Sequence, residues 1–218
     1  MNVGMTVLAV ASVLVLFGLG QRVLDKMHLT DRAALILMGI IFFGGLLPDI
    51  VLGQVSINIG GALAPVGVCL YLLFRADTRG EVFRALIGSA LTAGAVFLLG
   101  RVMPDEPERI IFDPNYVYGI AGGVIAYLLG RSRRGAFICG VLGVLGADIA
   151  VAVMNRMNGI QQMLYLGSAG AMDVVVLSGF LAVLLSELAG EILERISRGK
   201  EPVREEAVLH PAKGGKQK

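Results

Sequence analysis

Hydrophobic residues fall along this chain in seven long blocks, at residues 2–20, 33–52, 56–74, 83–101, 115–130, 135–154 and 167–188, each parted from the next by a short polar stretch. A helix needs about 20 mostly apolar residues to cross the hydrocarbon core of a bilayer. The pattern therefore predicts an all-α, polytopic membrane protein with about seven transmembrane helices. The helical domain occupies residues 1–190. Residues 191–218 read as a cytoplasmic, largely disordered basic tail, because their apolar content is too low to build a core.

Charge gives the weave a direction. Arg22, Lys26 and Arg32 lie between the first two blocks, Arg75, Arg79 and Arg84 between the third and fourth, and Arg131, Arg133 and Arg134 between the fifth and sixth. Seven more Lys or Arg follow from Arg195 onward. Only Arg101, Arg109 and Arg156 fall on the opposite side. The positive-inside rule predicts an N-terminus outside and a C-terminus in the cytoplasm, in a multi-pass protein of the plasma (inner) membrane. The first block has its basic residues after the apolar run, so it reads as a retained span rather than a cleaved signal peptide.

Composition narrows the partners. The chain is 56% hydrophobic and 17% charged, with a formal net charge of +2. That favours the lipid bilayer as partner and excludes a nucleic-acid footprint. Cys69 and Cys139 lie singly in apolar blocks, and His28 and His210 lie in a loop and the tail, so no metal site and no cofactor are expected. Tyr116, Tyr118 and Tyr165 sit near the outer boundary, as interfacial aromatics do. The thirty glycines include Gly119 and Gly123, then Gly140, Gly143 and Gly146. These are small-residue patterns that let helix backbones approach in lipid. They predict tight packing of the sixth and seventh spans.

The third block is broken by Asn58, Gly60, Gly61 and Pro65. Glycine weakens the helix there and proline removes a backbone donor. We read these four residues as the wall of a substrate-binding opening. Asp49, after Pro48, reads as an interfacial cap. Asp113 reads as an N-cap with Pro114 at the first helical position. Residues 102–113 read as a mobile, acidic outer loop.

Asp148 and Asp173 carry the chemistry. Each lies six residues, or about 9 Å, inside the outer boundary of an apolar block. Their helices are antiparallel neighbours across a short connection. Carboxylates at membrane depth normally face a partner, a water-filled cavity or a substrate. Two of them in low dielectric would share one proton. Such a pair suits acid–base attack by water on an amide, with Asp148 and Asp173 catalytic. It equally suits ion or proton handling, or structural satisfaction by Ser168, Ser178, Asn155 or backbone carbonyls.

Two resemblances follow from these residues. The stretches NIGGALAPV (Asn58 to Val66) and GSAGAMDVVVLSGFLAVLL (Gly167 to Leu185) resemble signatures of a bacterial and archaeal membrane family filed as a domain of unknown function, number 1614. The similarity covers most of the chain up to about residue 190 and implies no established activity. Residues Met172 to Leu185, with Asp148 opening the preceding run, are also similar to the GxGD region of signal-peptide-peptidase and presenilin-type intramembrane aspartyl proteases. That resemblance implies Asp148 and Asp173 as the catalytic pair and a membrane peptide as substrate. Here Gly170-Ala171-Met172-Asp173 stands in place of Gly-x-Gly-Asp, and Ala147-Asp148 in place of Tyr-Asp. No Pro-Ala-Leu helix follows the seventh span.

The leading reading is an intramembrane aspartyl-protease-like hydrolase acting on a membrane peptide; the alternatives are a small ion- or proton-coupled transporter and a noncatalytic membrane assembly factor. No inverted repeat is visible, which weighs against a common transporter fold. The oligomeric state is not fixed by the sequence.

Overall fold

The computed structural model describes residues 31–102, 114–130, 132–170 and 173–198. The apolar block 2–20, the cap at Asp113, the loop over 103–113 and the tail from residue 199 lie outside the described residues. The chain is mostly helical. Its elements are α1 (Asp31–Gly44), β1 (Ile50–Leu52), β2 (Val55–Ile57), a π-helical turn (Ile59–Leu63), α2 (Ala64–Phe74), α3 (Arg79–Val102), α4 (Pro114–Gly130), α5 (Arg133–Met157), β3 (Leu164–Leu166) and α6 (Val174–Arg198). Among these, α3 and α5 are long and apolar enough to cross a membrane, and three shorter apolar helices accompany them.

Three of the expected spans are corrected at one end. The α-helix of block 33–52 ends at Gly44, block 56–74 opens as a strand, and the α-helix of block 167–188 begins at Val174. The cause is a small three-stranded sheet that an all-α reading does not contain. Ile50–Leu52 and Val55–Ile57, rich in β-branched residues, form a hairpin closed by a two-residue turn with Gly53 at φ 63°. That left-handed conformation matches the twist of paired strands and is costly for other residues. Pro48 has no N–H to continue α1.

β2 then pairs in parallel with β3, each residue meeting the one 109 positions later: Val55 with Leu164, Ser56 with Tyr165, Ile57 with Leu166. The same offset carries α1 onto residues 140–153, within α5, and α2 onto residues 173–183, at the start of α6. Gly61 falls on Gly170, Val66 on Val175 and Leu72 on Leu181. In the sequence, block 2–20 falls on 111–129, which largely coincides with α4. Each half thus reads helix, extended strand, helix in the same sense, and α3 is the unmatched connector.

α5 is the central helix, packed against α3, α4 and α6. Glycine sets these distances. A Cβ on Gly140 would meet the Ser178 carbonyl oxygen at 2.9 Å, and one on Gly143 would meet the Thr92 side chain at 2.6 Å. The α5–α6 contact is therefore backbone against backbone, as small residues permit in lipid. Cys69, Leu72, Val141, Val144 and Val175 are fully buried between the helices.

One end of the bundle, here the basal end, is fixed by charge. Arg133 bonds Glu187, and Arg134 bonds Asp77 and lies 3.6 Å from Glu81. Arg134 also donates to the Arg75 carbonyl at 3.0 Å. Ser132 caps α5 by accepting from the Gly135 N–H at 3.0 Å.

Candidate functional site

Asp148, Asp173 and the break after α1 share one level. Asp148 lies fourteen residues above Arg134 on α5, and Asp173 fourteen above Glu187 on α6. At 1.5 Å per residue, both stand about 21 Å above the basal charges. α1 also climbs fourteen residues, from Asp31, before breaking at Gly45. At this level the backbones of the two halves cross. A Cβ on Gly61 would lie 1.9 Å from the Gly167 carbonyl oxygen and one on Gly170 2.9 Å from the Gly45 carbonyl oxygen, while within the first half one on Gly60 would lie 2.2 Å from the Ile41 carbonyl oxygen. Gly167 has φ 71° and Gly170 φ 61°. The residue before the crossing, Asn58, is buried, and its Oδ1 accepts from the Gly60 and Gly61 N–H groups at 2.9 Å. The π-helical turn follows because Pro65 offers no N–H to the carbonyl four residues back.

The four residues expected to wall an opening are held by protein. Asn58 also donates through Nδ2 to Asp49 at 2.9 Å and to the Leu47 carbonyl at 3.4 Å. Its polar atoms are therefore fully engaged by protein. Gly60, Gly61 and Pro65 are buried against neighbouring segments. Asp49 caps no helix. It clamps the hairpin by accepting from Ser56 Oγ and Asn58 Nδ2, both at 2.9 Å.

The two aspartates differ in kind. Asp173 is not inside a helix but caps one. Its Oδ1 accepts from the Val175 N–H at 3.0 Å, its Oδ2 from the Ala169 N–H at 3.3 Å, and its carbonyl from the Leu177 N–H at 2.9 Å. Successive tight turns, Gly170 N–H to Gly167 and Asp173 N–H to Gly170, bring it there. Asp148 is half-buried in mid-α5, and no hydrogen bond or ion pair holds it among the described residues. The two carboxylates are close enough to interact electrostatically, yet no hydrogen bond joins them.

Asp148 faces a half-open cavity of about 280 Å³. Val96, Phe97, Gly100 and Arg101 of α3, Tyr118 of α4, and Ala147, Val151 and Met154 of α5 complete its lining. Arg101 and Met154 meet at its mouth, with Nη1 3.1 Å from the sulfur. Arg101 and Tyr118 read in the sequence as boundary residues, and their convergence on Asp148 emerges only from helix packing. A spacing cue existed: α3 and α5 run in the same direction, and residues 51–53 apart face each other. None of Asn58, Gly60, Gly61 or Pro65 lines this cavity. Among the described residues no group of three or more His, Cys, Asp or Glu side chains is placed to hold a metal ion.

Residues 48–185 match a family described as "Protein of unknown function (DUF1614)". The chain belongs to that family. The match begins beside Asp49 and ends in α6, so it takes in the crossing, both aspartates and the whole cavity. No curated protein and no solved structure matches the chain.

The cap assigns opposite fates to two substitutions at Asp173. Asp173→Ala removes both side-chain acceptors and is expected to cost about 1–2 kcal/mol of stability. Asp173→Asn keeps an acceptor oxygen, so stability and function should stay near wild type, as read by thermal melting and complementation. Inactivity of a well-folded Asp173→Asn protein would instead require the carboxylate itself.

Proposed function

We propose that this protein is a small ion- or proton-coupled membrane carrier in which Asp148 is the coupling carboxylate. The observation that carries this is the state of Asp148: a carboxylate at bundle depth, without a hydrogen-bond or ion-pair partner among the described residues, facing a cavity. Retaining such a group costs free energy, and membrane proteins keep it mainly where it meets a pathway or substrate. In a hydrocarbon core about 30 Å thick, a level about 21 Å from the basal charges lies near 9 Å below the far face. The same-sense order of the two halves agrees with parallel repeats, an arrangement used by carriers. Around this centre we place seven spans, N-out and C-in, in the plasma membrane.

The hydrolase reading draws on the proximity of Asp148 and Asp173. It asks Asp173 to exchange protons while both of its oxygens accept from backbone N–H groups. Purified protein in liposomes separates the two. Proton or cation flux, with no cleavage of a single-span model peptide, supports the carrier. Peptide cleavage blocked by a transition-state mimic of amide hydrolysis supports the hydrolase. Neither activity, with both aspartates shielded from water, leaves a structural role.

Orientation is tested separately. A reporter fused after Lys218 should read cytoplasmic, and a tag within 104–109 external, since the basic residues cluster at the basal loops. An external C-terminus would overturn the span count or the direction.

A further inference from the structure

We propose that the cavity above Asp148 binds an amphoteric ligand, with its ammonium group on Asp148 and its phosphate or carboxylate on Arg101. This deepens the carrier reading and rests on it, since it names the ligand class of the same cavity. Arg101 and Asp148 both line that space, but they form no ion pair with each other. Arg101 instead touches the Met154 sulfur and stands 5.9 Å over the Phe97 ring. Neither contact supplies a negative charge. Among the described residues, one cavity thus presents a cation at its mouth and an anion at its floor, neither held in an ion pair.

The separation has a chemical meaning. Met154, beside Arg101, lies six residues above Asp148, about 9 Å along α5. A simple cation in this cavity lies beside Arg101, and a simple anion lies beside Asp148. Each is penalised by one wall charge in a site that screens poorly. A molecule carrying both charges a few ångström apart neutralises both. Val96, Phe97 and Val151 give its carbon bridge an apolar wall, and the Tyr118 hydroxyl, at the same wall, can donate or accept. The volume suits a headgroup-sized ligand. An ethanolamine-phosphate head of a membrane lipid and a soluble zwitterion share this chemistry.

The test uses the full chain in nanodiscs of phosphatidylglycerol, which carries no ammonium. Calorimetric titration compares phosphoethanolamine with its halves, ethanolamine and inorganic phosphate. Native mass spectrometry compares retention of phosphatidylethanolamine and phosphatidylcholine. Phosphoethanolamine, phosphatidylethanolamine or both should bind selectively. For the soluble probe the expected margin is at least about tenfold over either half. Asp148→Asn and Arg101→Gln should each weaken binding about tenfold, and Arg101→Lys should restore part of it. Selective retention of the lipid alone assigns the source to the bilayer, and selective binding of phosphoethanolamine alone assigns it to the aqueous face. Should Asp148→Asn fail to fold, Arg101→Gln at the exposed mouth decides. Halves that bind as well as the whole without selective lipid retention, or folded variants that bind unchanged, overturn the proposal. Flux that depends on Asp148 without zwitterion binding overturns this inference and leaves the carrier standing. Binding without flux does the reverse.

Discussion

Asp148→Asn is expected to abolish coupled flux in liposomes, lowering it about a hundredfold or more, while the amount of protein in the membrane changes little. The substitution keeps the shape of the side chain and removes its charge. Asp148 makes no hydrogen bond to the described protein, so its loss strands no donor and opens no cavity. The functional and structural effects should therefore separate cleanly. The double variant with Asp173→Asn should be no worse than Asp148→Asn alone. Flux and membrane abundance measured on the same preparations decide it, and a fully active Asp148→Asn protein would remove the residue from the mechanism.

The second large effect is structural. Gly61→Ala and Gly167→Ala are each expected to cost about 3–5 kcal/mol and to leave little folded protein. At Gly61 the new methyl would sit 1.9 Å from a backbone oxygen, and at Gly167 it would sit 2.3 Å from the Gly61 carbonyl carbon. The obstacle in each case is backbone, which cannot rotate aside as a side chain can. Gly167 adds the strain of a left-handed φ. Gly39→Ala provides the control, because no described residue lies within 4 Å of its Cβ position. It should melt within a few degrees of wild type. Near-normal melting of Gly61→Ala would mean that the two halves do not cross where they are drawn.

The helical blocks were legible because apolar length is a local signal. Blocks 83–101, 115–130 and 135–154 each lie within a helix. The ends of the other described blocks were not legible, because what unwinds them is non-local. Val55 turns from helix to strand through a partner 109 residues away, which no window along the chain contains. Asp173 is a different case. An aspartate just before Val174-Val175-Val176, with Gly170 three residues earlier, is an N-cap pattern, but inside an apolar run it read as mid-helix. Asp148 was legible as a carboxylate within a long apolar helix. Arg101 was not connected to it, since its approach depends on which faces of α3 and α5 meet.

The offset between the halves leaves an imbalance. It sets Asp148 opposite Gly39 and Asp173 opposite Ala64, so the acids belong to the second half alone. No described residue lies within 4 Å of where a Gly39 side chain would project; among the described residues the first half is a berth without an occupant. Under the carrier reading, one titratable seat moves at most one elementary charge per cycle, whatever symmetry the backbone keeps. An aspartate installed at position 39 asks whether the scaffold can count to two.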